Sequence, residues 1–461
     1  MALSLPVVGC RPSRALRTSR HSPFPYKAGG RSSCGSLRDK MYPRTRAQTE
    51  EAEDTGMKTN RPPMAPVAAL ILLLAGGGQS ATADVPVPSW KHLSSKRGQL
   101  PEPNGGRQQT ACVVFDVDGN GTDDIVVAER TQSPAVVWLG RTASGWQRYV
   151  IDASHRRPEA GGWPHDVDGD GDLDLILGGD ARSDELWWYE NPAPALDPSS
   201  PWTRRIIKRG GGRAHHDQIV ADLLGTGRPQ LVFWNQGARA LLLAEIPPDP
   251  RSTGLWPLVK ILDTSRTKTA IKQEGMAAGD VDGDGRVDLL AGIYWLKHQG
   301  GKRFTPIQIA DHPGRIAAGR FKPTPAAQIV LAPGDGNGPL LLAECQGDPT
   351  DRKAWTRRRL LDRDLVHGHT LAAADINADG HLDIFTAEMH TPGRGEQCTA
   401  WILYGHGDGR FTVQRLSVGI GNHDSRLGDV NGDGRLDIVT KPYTWDTPRI
   451  DVWLNQGPVG R

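Results

Sequence analysis

The sequence predicts an all-β protein and, within that class, a seven-bladed β-propeller. Its 461 residues include 55 glycines and 35 prolines, a composition that favours short strands joined by turns over long helices. A repeated segment recurs seven times after residue 105, and five of its copies carry an acidic motif. Apolar segments of strand length surround each copy, about four to a unit. Repeats of this size are typical of solenoids, propellers and arrays, and seven four-stranded units favour the propeller.

The first 83 residues are predicted to lie outside the propeller. Residues 1–56 are rich in Arg, Ser and Pro and lack a hydrophobic period. They fit either a disordered basic tail or, as the preferred interpretation, a start codon assigned too early. Residues 57–83 combine a basic beginning, a short apolar run and the cleavage pattern Ala-Thr-Ala, which predict a signal peptide. The protein is therefore expected to be secreted or periplasmic, without a membrane anchor after cleavage.

Residues 84–104 are predicted to be a linker that contains one strand near residues 90–93. The seventh repeat unit ends at Val452-Trp453-Leu454 without a fourth strand, whereas Trp90-Lys91-His92-Leu93 resembles a fourth strand without a unit. We expect this early strand to pair with the last blade, because ring closure removes the exposed edges of a sheet. The propeller itself is assigned to residues 105–457.

Five of the seven repeated segments follow the pattern D-x-[DN]-x-[DN]-G-x-x-D or a close variant. Carboxylate or amide oxygens occupy positions 1, 3, 5 and 9, which is a set of hard ligands that suits Ca²⁺ better than Zn²⁺. The predicted structural calcium ligands are Asp116, Asp118, Asn120, Asp124, Asp166, Asp168, Asp170, Asp174, Asp280, Asp282, Asp284, Asp288, Asp375, Asn377, Asp379, Asp383, Asp429, Asn431, Asp433 and Asp437. The third and fifth copies have lost these ligands, at Leu224, Thr226 and Gln230 and at Lys322, Thr324 and Gln328, and are expected to be metal-free.

These blades and loops resemble the FG-GAP/VCBS repeat family of propellers over about residues 105–456. The resemblance implies the fold and the calcium-binding loops. It implies no single function, because propellers of this kind serve adhesion, sugar binding and catalysis.

One end of the predicted ring gathers reactive side chains. Six residues before the first acidic position, the seven units carry Thr110, Ala160, His216, Glu274, Gly314, His369 and His423. Three histidines in seven equivalent positions far exceed chance for a chain with 14 histidines. The second strand of each blade ends where the first begins, so residues at those strand ends are expected at the same mouth of the channel.

The composition of this mouth predicts a metal-assisted β-elimination on a carbohydrate. His216, His369 and His423 are the predicted ligands of Zn²⁺ or another divalent metal, and Glu274 is a fourth ligand or a base. The metal would polarise a carbonyl or carboxylate oxygen while a neighbouring side chain removes the α-proton. The proton-transfer candidates are His215, His367 and Tyr443.

Further residues of the mouth are assigned to substrate binding. Arg315 and Lys441 are expected to hold an anionic group, and Trp295 and Trp445 to stack on sugar rings. The histidine-bearing units, with the segments WWYENP and WTRRII, also resemble the propeller of fungal aldos-2-ulose dehydratase and related propeller lyases. This resemblance implies a sugar lyase or dehydratase.

Two alternatives remain open at the level of the sequence. One is a non-catalytic propeller that binds a glycan or a protein, which predicts no transition metal at the mouth. The other is a hydrolase with Glu274 and Glu388 as paired carboxylates about 5–10 Å apart. The net charge of +2, with its basic excess confined to the first 83 residues, indicates no nucleic-acid surface. The oligomeric state is not determined by the sequence.

Overall fold

The computed structural model describes residues 85–266, 273–312, 314–389 and 395–458. The predictions for residues 1–56 and 57–83 lie outside these ranges. In the described part the only helices are three 3-10 turns, at Ser95–Arg97, Arg352–Ala354 and Gly395–Gln397. No helix there is long or apolar enough to cross a membrane.

Seven four-stranded antiparallel sheets form the propeller blades. The first strand of the chain, β1 (Pro88–Ser94), belongs to the seventh blade. The first blade comprises β2 (Gln109–Phe115), β3 (Asp124–Glu129), β4 (Val136–Thr142) and β5 (Gly145–Asp152). The second comprises β6 (Trp163–His165), β7 (Asp174–Gly178), β8 (Leu186–Glu190) and β9 (Thr203–Lys208). The third comprises β10 (Gln218–Ala221), β11 (Gln230–Asn235), β12 (Ala240–Glu245) and β13 (Leu258–Asp263).

The fourth and fifth blades comprise β14 (Met276–Gly279), β15 (Asp288–Ala291), β16 (Tyr294–His298) and β17 (Phe304–Gln308); and β18 (Gly314–Gly319), β19 (Gln328–Pro333), β21 (Leu341–Cys345) and β22 (Trp355–Arg359). A small separate ribbon joins β20 (Asn337–Gly338) to β23 (Leu365–Val366). The last two blades comprise β24 (Thr370–Ala374), β25 (Asp383–Ala387), β26 (Thr399–Gly405) and β27 (Phe411–Val418); and β28 (Arg426–Gly428), β29 (Asp437–Thr440), β30 (Asp451–Pro458) and β1.

The ring closes through β1, which pairs antiparallel with β30 in the manner expected from the sequence. Trp90 lies opposite Asn455 and His92 opposite Trp453. The His92 and Trp453 rings stack with their centroids 3.9 Å apart, and His92 Nε2 lies 2.8 Å from the Asp451 carboxylate. The seventh blade is therefore completed by a strand that precedes the first blade in sequence.

Apolar side chains fill the spaces between neighbouring blades. Trp138, Trp187, Trp188, Trp234 and Trp295 are among the largest fully buried side chains. Burial of Trp295 corrects the expectation that its ring is available for stacking on a sugar. The innermost strands of successive blades contact one another around the ring, so that their first residues converge on one axis.

Candidate functional site

The reactive side chains enter the axial channel from the segments that begin the innermost strands. His216 precedes β10, Glu274 precedes β14, His369 precedes β24 and His423 precedes β28, while Arg315 lies on β18. Asp217 and Asp424, next to two of these histidines, adopt positive φ angles of 45° and 56°. Such angles cost energy in residues other than glycine. The local backbone is therefore held by the surrounding contacts.

His216, Glu274 and His369, from the third, fourth and sixth blades, meet across the axis. The His369 Nε2 atom lies 3.0 Å and the His216 Nε2 atom 3.7 Å from Glu274 Oε2. One potential ligand atom from each residue falls within 4.8 Å of the others. All three side chains are buried. Two imidazole nitrogens and one carboxylate oxygen in this arrangement can bind a divalent metal.

Asp217 orients two members of this cluster. Its Oδ2 atom lies 2.7 Å from His216 Nδ1 and accepts the Gly275 backbone N–H at 2.7 Å, while Oδ1 accepts from Arg315 at 2.7 Å. A carboxylate bound to Nδ1–H of a histidine leaves the Nε2 lone pair free for a metal. Asp217 thus holds the His216 ring in the orientation and tautomer that a metal-binding histidine needs.

Arg315 fixes the tautomer of His369. Its Nη2 atom lies 2.7 Å from His369 Nδ1. A guanidinium can only donate, so Nδ1 accepts and the proton of the neutral ring is on Nε2. That Nε2–H is donated to Glu274. To become a metal ligand at Nε2, His369 must therefore move this proton to Nδ1, which requires Arg315 to withdraw from that atom.

The third predicted metal ligand, His423, lies beside the cluster. Its ring stacks on His369, with centroids 4.5 Å apart, and on Tyr443 at 4.9 Å. Its Nδ1 atom is 3.1 Å from Lys441 Nζ. The metal-competent group of His216, Glu274 and His369 does not include His423. His423 instead forms a stack between the cluster and Tyr443.

Lys441 supports the backbone and is not placed to hold a substrate anion, contrary to expectation. It is fully buried, and Nζ donates to the carbonyl oxygens of Gln109, Thr110 and His423. Burial also lowers the pKa of Lys441 to about 7. Arg315 is likewise committed, to Asp217 and His369. Among the described residues, neither predicted anion-binding cation is free.

The proton-transfer candidates lie in three different environments. His215 is fully buried and packs on Phe233 with ring centroids 5.9 Å apart, and burial lowers its pKa to about 4. Its Nδ1 atom lies 3.3 Å from Gly179 O, so its side chain contacts the second and third blades and none of the cluster residues. The half-buried His367 follows β23, and its backbone N–H donates to Gly336 O at 3.0 Å. Tyr443 is half-buried at the open side, where its hydroxyl contacts Arg130.

Neighbouring charges lower the pKa of Glu274 and raise that of His216, in both cases against the effect of burial. Burial alone would raise the pKa of Glu274, but the adjoining His369 and Arg315 outweigh it and lower the pKa to about 2. Burial alone would lower the pKa of His216, but the contact with Asp217 raises it to about 9. The site thus places an ionised carboxylate beside an imidazole that retains its proton, a pairing suited to acid–base chemistry.

Asp335 is a member of the site that the sequence analysis missed. Its backbone N–H donates to Glu274 Oε1 at 3.1 Å, and its carboxylate lies 3.6 Å from His369 Nε2. It belongs to the glycine-rich segment 333–339 of the fifth blade. That blade has a glycine in the histidine column, at Gly314, so the column gave no signal for this residue.

Glu388, proposed as half of a hydrolytic carboxylate pair, serves its own blade. It is fully buried, accepts from Arg363 at 2.6 Å and accepts the backbone N–H groups of Val366 and Thr399. These contacts hold the strand end in place, and they leave the paired-carboxylate hydrolase without support.

The acidic loops connect the first and second strands of the blades, at the end opposite the histidine cluster. Three of them bring the carboxylates at positions 1, 3 and 9 within 4.8 Å of one another, in the groups Asp116–Asp118–Asp124, Asp166–Asp168–Asp174 and Asp280–Asp282–Asp288. In the first loop, Oδ1 of the buried Asp124 has no hydrogen-bond partner. Burial and the neighbouring carboxylates raise the pKa of Asp124 to about 8. An orphaned buried oxygen in a ring of carboxylates fits a bound Ca²⁺.

Position 9 also has a role in the hairpin itself. In all five loops its Asp Oδ2 accepts the backbone N–H of position 2, as Asp124 does from Val117 at 3.0 Å. In the two degenerate loops Gln230 and Gln328 accept a backbone N–H of the loop and donate their amide N–H back to it. A glutamine thus bridges the loop without a cation, which gives a physical reason for this substitution.

Protein cations contact two of the acidic loops. Arg251 Nη2 lies 2.8 Å from Asp168 and 2.6 Å from Asp170 in the second loop. Lys297 contacts Asp282 and lies 3.4 Å from Asp284 in the fourth. Because a bound Ca²⁺ would use the same oxygens, these cations compete with it.

Comparison with known proteins supports the repeat assignment. Residues 375–440, from the sixth acidic loop to the end of β29, match the model of the FG-GAP-like repeat. The chain is thus a seven-bladed β-propeller that contains an FG-GAP-like repeat in its sixth and seventh blades. No significant match to a curated protein was found.

Two similar solved structures are both crystals of BBS1N in complex with ARL6DN, one soaked with mercury and the other with lead. Their sequences are 10% and 11% identical to this chain, each with a TM-score of 0.48. The alignments cover 80% of this chain and 97% and 98% of the solved chains. A likeness of this size carries no inference about function.

Proposed function

We propose that this propeller is a carbon–oxygen lyase or dehydratase that acts on sugars at the axial cluster. The observation that carries the proposal is the convergence of His216, Glu274 and His369 from three blades within 4.8 Å. Residues of separate repeat units meet across the axis, which packing within a blade does not require. Buried acid–base groups with opposed protonation tendencies are typical of reaction centres.

Elimination needs a base for the α-proton and an acid for the departing oxygen. His216 fits the acid, because Asp217 keeps its proton bound. Tyr443, at the open side of the His423 stack, fits the base or a proton relay. Asp217 and Arg315 are positioning residues, which orient the rings of His216 and His369.

The donor set fits a divalent metal in part. His216 Nε2, with Asp217 on the other ring nitrogen, and Glu274 would be the first ligands. In that metal-bound form His216 would have given up its Nε2 proton and would be replaced as the acid by the metal. His369 would join them only after Arg315 released its Nδ1 atom and the ring proton moved there. Such an ion would supply Lewis-acid polarisation of a substrate oxygen. The acidic loops fit structural Ca²⁺, and residues 57–83 support export from the cytoplasm.

Turnover of sugars by site variants tests the proposed reaction. Elimination next to a carbonyl or carboxylate creates a conjugated double bond, so a panel of oligosaccharides can be screened by ultraviolet absorbance. His216→Ala and His369→Ala should each lose about 100-fold or more of the wild-type rate, the usual contribution of an acid–base group. His298→Ala, in the β16–β17 hairpin, is the matched control. Unchanged rates in both site variants would end the proposal.

A second candidate is a non-catalytic binding propeller. The observation that favours it is the mutual pairing of the axial groups: Arg315 with Asp217, His369 with Glu274, and Lys441 with three carbonyls. Such a network stabilises the contacts between blades along the axis, which is a structural role that requires no substrate. Elemental analysis separates the two candidates. Calcium alone favours the binding module, whereas additional zinc, manganese or iron favours the enzyme.

A further inference from the structure

A cavity of about 680 Å³ opens beside the axial cluster, at the junction of the fourth and fifth blades. Glu274 lies in its wall. The adjoining part of the wall is formed by the segment 333–339, whose Asp335 contacts both Glu274 and His369. A volume in the range of about 300–1,000 Å³ is typical of small-molecule sites. A ligand in this cavity would therefore lie against the carboxylate of the proposed reaction centre.

The lining of the cavity combines an apolar base with polar groups. The apolar part consists of Ala310, Leu331, Ala332, Pro333, Pro339 and Leu341. Asp311, Asp335, Asn337 and Asp364 are polar and exposed. The C–H faces of a sugar ring are apolar and its hydroxyl groups donate hydrogen bonds, so this lining is complementary to a sugar.

The charges of the lining oppose an anionic ligand. Four carboxylates and one guanidinium, Arg357, line the cavity. That guanidinium pairs with Asp311 at 2.6 Å, and Asp311 also binds Arg352 at 2.7 Å. The Asp335 carboxylate is 78% exposed. A uronate, sulfate or phosphate would meet this exposed negative charge, and the lining guanidinium is already paired, so the only other basic group of the lining is the imidazole of His312. This balance of charge disfavours an anionic ligand.

The other cavities lie elsewhere. One of about 290 Å³ is lined by residues such as Trp188, Arg205 and Arg251, and it contains none of the axial residues. Two more, of about 410 and 580 Å³, are lined by residues of the third and fourth blades and likewise contain none of the axial residues.

We infer that this cavity is the ligand-binding site that feeds the axial cluster, and that it takes an uncharged, polyhydroxylated ligand such as a neutral oligosaccharide. The inference rests on the proposed function for its link to catalysis, but binding can be measured without turnover. Asn337 is the residue best suited to testing it, because its side chain is exposed at the cavity and its backbone pairs with Val366.

The test is ligand binding to the full chain by saturation-transfer NMR and calorimetry. The probes are maltotriose, cellotriose and mannotriose, with trigalacturonate as the charged counterpart. We expect at least one neutral probe to bind and trigalacturonate not to bind. Asn337→Trp should weaken that binding about tenfold or more by filling the cavity. Gln147→Trp, at an exposed position of β5 outside the cavity, is the matched control and should leave binding unchanged. Folding of each variant is checked by circular dichroism.

Preference for trigalacturonate, binding of no neutral probe, or unchanged binding in Asn337→Trp would overturn the inference. If Asn337→Trp fails to fold, Leu341→Phe repeats the test from the apolar side. Binding of a neutral probe at this cavity would leave the inference in place even if the separate screen for elimination finds no substrate, so the inference and the proposed lyase can fail independently. Elimination that persists in Asn337→Trp would support the proposed lyase and would overturn the inference that its substrate binds in this cavity.

Discussion

Substitution of Gly334 by alanine is expected to disrupt the axial cluster directly. A Cβ atom at this position would overlap Oε1 of Glu274 and come within 3.2 Å of the Gly314 Cα atom. The Glu274 carboxylate must therefore move. It would lose the Asp335 N–H at 3.1 Å and the His369 Nε2–H at 3.0 Å. Hydrogen bonds to charged groups contribute about 1.5–3 kcal/mol each, so the loss of both costs about 3–6 kcal/mol.

Gly336→Ala is the matched control for this prediction, because a Cβ atom there meets nothing within 4 Å. Urea unfolding followed by tryptophan fluorescence would measure the stability of each variant. Calorimetric titration with Zn²⁺ would measure the affinity of the axial cluster for the metal. Gly334→Ala should be destabilised and should bind Zn²⁺ more weakly, while Gly336→Ala should match the wild type. Equal unfolding midpoints and equal Zn²⁺ affinities in the two variants would refute the argument.

Three further predictions concern ring closure and the acidic loops. His92→Ala should destabilise the protein by about 2–4 kcal/mol in urea unfolding, through lost stacking and a lost bond to a carboxylate; Lys91→Ala on the same strand should have little effect. Burial alone would raise the pKa of Asp451, but its partners outweigh burial and lower it. Its stabilisation is therefore present above about pH 4 and lost as the pH falls further. Asp451→Asn should cost about 3 kcal/mol at pH 7 and show a smaller loss on acidification. Arg251→Ala should tighten one calcium-binding event in calorimetry, and an unchanged titration would contradict competition at the second loop.

The sequence by itself determined the repeat and therefore the fold. Short, continuous apolar segments and turn glycines specify each blade locally. Seven units leave one unmatched strand to close the ring. The histidine column followed from the same register, because equivalent positions in a repeat occupy equivalent places around an axis. His216, Glu274 and His369 could be brought together on that ground alone.

Tertiary structure decided what the register could not. Contacts across the axis join the third blade to the fifth and the fourth to the sixth, and no repeat spacing encodes which side chains meet there. Arg315 thereby fixes the tautomer of His369, and the Lys441 ammonium group donates its hydrogen bonds to backbone carbonyl oxygens. Asp335 reaches the site from the connection between the second and third strands of the fifth blade, a segment whose length and sequence differ from blade to blade. Local sequence patterns report strand period and turn chemistry, whereas the geometry of an axial site depends on side-chain contacts between distant units.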